Sequence, residues 1–371
     1  MISVFEPNLT FKDKFAVFKT LMKNDISGTS PIIKDFEKDI SEKFSRKHAI
    51  AVSNGSVALD AAFQMIDLEK GDEVILPSFT IVSCLSAVIR SGATPIFCDV
   101  DVNSWNMSLE NIKQCVTDKT KAILMVHIYG LAAEAIEIEE FCTKNNIKLV
   151  EDAAEAHGQL IDKRYCGSFG QISTFSFYAN KHITTGEGGM VLTDSSEIDS
   201  LCRRIRNLDF SIPRFQHENL FWNYRMSGMQ AALGRSQINS LDKTISLKKK
   251  QGSFYQQLLS EYDYLIQLPL KEFKGSENHY WVFGVVLKEN DIRDRLIENL
   301  KEKGIDSRPF FWPLHLQTAL TDKMKKINYN LPVSENLGKN GLYLPLGKHV
   351  SIQKQKFISK TLIDTILELK K

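Results

Sequence analysis

Between residues 48 and 195 the chain alternates short β-rich runs with helical patterns, and this alternation restricts its fold more than any other feature. His48 to Ser53 reads as a strand, closed by Asn54-Gly55. The stretch that follows puts Ala58, Ala62 and Met65 on one helical face. Glu73 to Leu76 and Pro95 to Cys98 read as buried strands, with a helix from Cys84 to Arg90 between them. Lys121 to Ile128 is strand-like, Glu134 to Asn146 helical, and Ile147 to Val150 strand-like again. Repeated strand–helix–strand units imply an α/β fold around a mostly parallel sheet covered on both faces. Ligands of such sheets sit at the carboxyl ends of the strands.

After Gly170 the rhythm changes. Ser173 to Tyr178 and Met190 to Thr193 read as strands around the loop Thr184-Thr185-Gly186-Glu187-Gly188-Gly189. A long helical stretch is expected from Ser227 towards Tyr262, with Gly234 and Gly252 as weak points. His279 to Leu287 reads as a strand, Ile292 to Lys303 as a helix and Ile352 to Leu369 as a terminal helix. The expected organisation is a large domain over residues 1–245 and a small C-terminal α+β domain over residues 246–371.

Composition narrows the function. Lys plus Arg total 47 against 45 for Asp plus Glu, too balanced for an electrostatically driven nucleic-acid binder. No apolar run approaches the roughly 18 residues of a membrane helix, and the first residues lack a signal-peptide pattern. A soluble, cytoplasmic protein without membrane or nucleic-acid partners is expected. The six cysteines never form C-x-x-C, and His217-Glu218 lacks the second histidine of a zinc-protease motif, so no metal site is expected.

The remaining chemistry lies in four places: Asn54-Gly55-Ser56 opening a helix, Glu151-Asp152 ending a strand, Ser176 in a strand, and Lys181 before the Gly-rich loop. Each suits one part of a pyridoxal phosphate site. Gly55 and Ser56 offer N–H groups, a hydroxyl and a helix N-terminus to a phosphate. Ser176 can add a second hydroxyl. Asp152 can pair with a protonated pyridine nitrogen, and Lys181 can form a Schiff base with the cofactor aldehyde. Taken singly, the same residues also suit a turn glycine, a strand-end acid and a solvated surface lysine.

Longer strings go further. Val150-Glu151-Asp152-Ala153-Ala154-Glu155-Ala156-His157-Gly158, Thr174 to Lys181, and Ile183 to Met190 closely resemble the sugar-nucleotide aminotransferases of the DegT/StrS group. Ser53 to Ser56, Pro77-Ser78-Phe79-Thr80, Val126 to Gly130 and Asn223-Tyr224-Arg225-Met226 match in the same order. The resemblance implies an aspartate-aminotransferase-type (fold type I) enzyme. It would work as a homodimer with shared active sites, moving an amino group from L-glutamate to a keto sugar nucleotide through pyridoxal and pyridoxamine 5'-phosphate. On that resemblance Lys181 bonds the cofactor and Asp152 meets its pyridine nitrogen. Glu155 lies near the phenolic oxygen. Gly55, Ser56 and Ser176 hold the phosphate, and Asn223 reaches it from the other subunit.

One position departs from the group. An aromatic residue usually follows the threonine of Pro77-Ser78-Phe79-Thr80 and stacks on the cofactor ring; here it is Ile81. Glu155 and the string Ser307 to His315 look most like the members that aminate carbon 4 of GDP-4-keto-6-deoxymannose, a step towards lipopolysaccharide O-antigen. They make Arg308 and His315 the substrate-side candidates, against an interface ion pair and a core histidine. The helix carrying Arg203, Arg204 and Arg206 could face a diphosphate or simply be a solvated basic face. Rivals in the group are aminotransferases for dTDP or UDP sugars, 3-dehydratases that replace the bonding lysine with histidine, and non-enzymatic sensors. Lys181 and its partners argue against the last two.

Overall fold

Seven strands form one sheet in the spatial order His48–Val52, Gly189–Thr193, Ile172–Ser176, Lys148–Asp152, Thr120–Val126, Glu73–Pro77 and Thr94–Cys98. Only Gly189–Thr193 runs against its neighbours; the other pairings within the sheet are parallel. The structure is a computed structural model and describes residues 1–210, 213–320 and 329–370. The strands are apolar along nearly their whole length because helices cover both faces, as in other parallel sheets. Their register places Val126, Asp152 and Thr174 side by side where the strands end. That row is the floor on which the site is built.

The helix Gly55–Gln64 lies across Ile172–Ser176 and Gly189–Thr193. Its cap, Asn54, accepts the Val57 N–H through its side chain at 2.9 Å. A β-carbon on Gly55 would lie 2.7 Å from the β-carbon of Ser176, so only glycine lets the helix start this close to the strand.

A second, antiparallel sheet of Ile266–Gln267, Phe283–Leu287, Gly341–Leu344 and Arg308–Pro309 packs with the helices Arg293–Glu302 and Ile352–Leu369. Its own core includes Tyr255, Phe283, Leu296, Leu342 and Ile358. Each such buried side chain contributes roughly 1.5–3 kcal/mol. The expected division at residue 245 falls within the continuous helix Leu241–Leu259, which packs against the terminal helix of this unit.

Three expectations are corrected. The stretch after Ser227 is two helices, Gly228–Ile238 and Leu241–Leu259, and the chain turns at Asn239-Ser240, two residues of low helix propensity. Gly234 and Gly252 are not weak points. They sit inside the helices under aromatic rings, where a β-carbon would come within 2.5 Å of Phe36 and Tyr280 respectively. The strand expected from His279 begins only at Phe283, because Tyr280 has a φ of +49° and residues 279–281 bond instead to a loop of the large sheet. The helices Phe11–Met22 and Pro31–Lys43 were not anticipated.

That loop contains Tyr129 and Gly130, both at positive φ (+58° and +91°). The His279 N–H donates to the Gly130 carbonyl at 2.8 Å and the Trp281 N–H to that of Tyr129 at 3.1 Å. A β-carbon on Gly130 would lie 2.8 Å from the Tyr280 nitrogen and closer still to that of Trp281. Gly130→Ala is therefore expected to cost about 2 kcal/mol or more, read as a lower urea midpoint at unchanged slope. An unshifted midpoint would contradict this close approach.

Candidate active site

At the carboxyl ends of the strands lies a cavity of about 670 Å³. Gly55, Ser56, Ile81, Asp152, Glu155, Ser176 and Lys181, scattered over more than a third of the sequence, all line it. Asp152 comes from the floor row, and Glu155 from the turn that follows. Lys181 enters from the loop after Ser176, its backbone N–H tied to the Tyr178 carbonyl at 3.0 Å.

Asp152 is buried, with Oδ1 accepting the Ala154 N–H at 3.0 Å and Oδ2 facing the Cys84 thiol at 3.4 Å. Burial holds its carboxyl above the usual range, opposed by the Ala154 N–H and the Lys181 charge. Glu155 Oε2 accepts the Tyr129 N–H at 2.8 Å, and Oε1 lies 3.5 Å from Lys181 Nζ. Burial pushes the Glu155 carboxyl up to about 7 despite that cation. The Lys181 side chain is only 9% exposed, and burial lowers its amine against the pull of Glu155 and Asp152. A lysine with a lowered pKa is a better nucleophile near neutral pH.

At the opposite end, the first N–H groups of the helix Gly55–Gln64 have no acceptor within the helix. The Ser56 hydroxyl pairs with that of Ser83 at 2.7 Å, and Ser176 borders the same space. Ile81 caps the helix Val82–Arg90 and is 42% exposed on the cavity wall.

Other candidates stand elsewhere. Asn223 is exposed and outside the lining of its own chain's cavity. Arg308 is exposed beside the site, its guanidinium 4.8 Å from the centre of the Phe5 ring. His315 is turned away: its Nδ1 pairs with the Ser78 hydroxyl at 2.6 Å in a buried setting. Arg203 and Arg206 are both engaged by Glu37, and Arg204 by Asp209 and Glu218. That helix is a structural ion-pair network and offers no free cation to a diphosphate.

Sequence reasoning missed Trp281, Phe311 and Tyr343, which come from the second unit and wall the cavity. The signals were the aromatic density around His279 to Phe283, which resembles an ordinary core strand, and the string Ser307 to His315, which contains Phe311. It also missed the brace behind the floor. Glu151 accepts His127 Nε2–H at 2.8 Å and the N–H groups of Gly167 and Phe169 at 2.6 and 2.8 Å. His127 Nδ1 accepts the Ala133 N–H at 3.0 Å. With Cys166 this is the one His/Cys/acid group among the described residues close enough to hold a metal, yet both imidazole nitrogens and both carboxylate oxygens are already engaged.

The donor set fits pyridoxal phosphate: helix N–H groups and hydroxyls at one end, a buried acid on the floor, and a buried amine between. The chain matches the model of the DegT/DnrJ/EryC1/StrS aminotransferase family over residues 10–362 and belongs to that family. It is 36% identical over 362 residues to GDP-perosamine synthase of Escherichia coli O157:H7, covering 97% of each chain. It is 35% identical to the protein of the same name from Vibrio cholerae, covering 93% of this chain and 94% of the relative. Among solved structures, the aminotransferase TlmJ from Streptoalloteichus hindustanus superimposes with a TM-score of 0.93 at 26% identity, over the whole of both chains. The protein is accordingly a pyridoxal-phosphate-dependent aminotransferase. Among the described residues no helix is long and apolar enough to cross a membrane.

The raised Glu155 carboxyl has a consequence for stability. A carboxyl with a folded pKa above its unfolded value binds its proton more tightly in the native state. In the cofactor-free protein this penalises the fold progressively as pH climbs from about 4.5 to about 7. Glu155→Gln removes the titration. The stability of the parent relative to the variant should therefore fall across that window, by on the order of 1–3 kcal/mol in urea titrations. A flat difference would show that Glu155 is not held protonated by burial.

Proposed function

We propose that this aminotransferase moves the amino group of L-glutamate to a keto sugar nucleotide, at carbon 4 of GDP-4-keto-6-deoxymannose, giving GDP-perosamine. The observation that carries the reading is the Lys181 amine, held in the cavity beside Glu155 on the side where Asp152 forms the floor. The names and near-complete coverage of the two bacterial relatives support the sugar and the nucleotide.

On this reading Lys181 would hold the cofactor through its amine, and the same amine is placed to move a proton at the reacting carbon. When bound, pyridoxal phosphate supplies an aldehyde for amine exchange and a pyridinium ring that takes up charge. Asp152 keeps a negative charge on the cavity floor for that ring, helped by the Ala154 N–H. Gly55, Ser56 and Ser176 would seat the phosphate, and Ile81 on the cavity wall would pack against the ring. Glu155 exchanges its proton near neutral pH beside the lysine. Arg308, paired in register with the cavity residue Tyr343, is the candidate for an anionic substrate group, and His315, between Ser78 and Glu335, would act indirectly. We further propose a cytoplasmic homodimer in which Asn223 completes the partner's phosphate seat. Its exposure outside its own cavity supports that arrangement. The chain would divide into a large cofactor-binding unit, 1–245, and a small unit, 246–371.

The test is a panel of keto sugar nucleotides assayed with glutamate, with products separated by mass. An aminated GDP sugar is expected; a deoxy ketone formed without amine would mean a dehydratase instead. Asp152→Asn should keep its cofactor yet lose at least about 10²-fold in kcat, because an amide cannot hold the ring nitrogen protonated. Near-normal turnover would remove Asp152 from this role. Dilution should separate subunits and activity together, with cofactor strengthening the dimer by mass action. A fully active monomer in sedimentation would exclude shared sites.

A further inference from the structure

We propose that Trp281 is a positioning residue for the Lys181 amine: its indole face holds the amine, whenever it is not bonded, at the place from which it attacks the cofactor aldehyde. This rests on the reading of Lys181 as the bonding residue. Lys181 Nζ lies 3.6 Å from the centre of the Trp281 ring, the shortest cation–ring distance among the described residues. The same ring borders the cofactor cavity.

The indole is anchored on three sides. Its Nε1–H donates to the carbonyl of Asn180, the residue before Lys181, at 3.1 Å, so ring and lysine backbone are tied directly. Its main-chain N–H donates to the Tyr129 carbonyl at 3.1 Å. Its own carbonyl accepts Lys248 Nζ at 2.8 Å. Lys248 is buried and, among the described residues, has no carboxylate partner. A buried amine spent on one carbonyl is an expensive anchor. The residue it fixes is the one that meets Lys181.

A four-bond lysine side chain has many rotamers, and a misplacement of about 1 Å can cost on the order of 10²-fold in rate. The indole face and Glu155 together restrict the amine to one position while leaving it free to leave.

The test uses the full-length protein stripped of cofactor. Pyridoxal phosphate is added, the reaction is stopped with borohydride at intervals, and the adduct on Lys181 is counted by peptide mass. Affinity for pyridoxamine phosphate, which has no aldehyde and makes no bond to lysine, is measured in parallel. Trp281→Leu should slow capture at least about tenfold, with pyridoxamine phosphate affinity changed less than about threefold. Trp281→Phe, which keeps a ring face, should restore most of the rate. If Trp281→Leu folds poorly, Lys248→Met, which removes the carbonyl anchor and leaves the indole in place, should show the same slower capture at unchanged affinity. Parent-like capture in these variants overturns the proposal, as does a loss of pyridoxamine phosphate affinity that parallels the loss of capture. If the parent acquires no adduct on Lys181, the reading of Lys181 fails instead.

Discussion

Two adjacent acids at the end of Lys148–Asp152 hold the site together, because side chains of a strand alternate between its faces. Glu151 turns one way and gathers three donors from the loops behind the sheet. That brace locks Gly167 and Phe169 onto the strand end and fixes the His127 tautomer through the Ala133 N–H. Asp152 turns the other way, into the cavity, with no freedom to follow another partner. A carboxylate meant to face a ring nitrogen must be rigid before the ring arrives, and the rigidity here is supplied by its neighbour.

The charges around the cavity follow the same economy. Asp152, Glu155 and Lys181 are all buried, so each carries a desolvation cost, relieved by the attraction between the amine and the two carboxyls and by the Ala154 and Tyr129 N–H groups. The consequence is a set of groups displaced towards neutrality, carboxyls up and amine down, with Glu155 raised to about 7. Lys248 extends the pattern: burial and the Lys181 charge push it down to about 7. Such clusters reduce stability, and the large apolar cores on both faces of the sheet offset them.

Much of this was legible in the chain. The apolar runs of the central strands define the sheet, since a strand buried on both faces must be apolar at nearly every position. Gly55, Asp152, Ser176 and Lys181 come together because strand ends and the turns after them share one edge of a parallel sheet. What escaped depends on contacts distant in sequence. Nothing local distinguishes His315, tied to Ser78 across 237 positions, from a histidine in a site. The basic face of Arg203, Arg204 and Arg206 looks free until Glu37 and Asp209 are brought under it. Gly234 and Gly252 look like helix breakers, although rings from elsewhere require the space a side chain would fill. Trp281 reads as one more core aromatic because its partner Lys181 lies 100 residues away.

The two units divide the work unequally. The carboxylates and the amine of the cavity come from the large sheet and its loops, whereas the second unit supplies walls: Trp281, Phe311 and Tyr343. Their placement is governed by the seam between the units. There Tyr129 and Gly130, both at positive φ, accept the backbone of residues 279–281, and the Tyr280 ring fills the space beside Gly252 on the helix that bridges the two cores. The seam therefore combines these backbone hydrogen bonds with aromatic packing, in which Phe79, Trp105 and Tyr129 meet Phe310, Phe311 and Trp281. Such a joint tolerates little sliding, and it holds an aromatic wall at a fixed distance from a lysine belonging to the other unit.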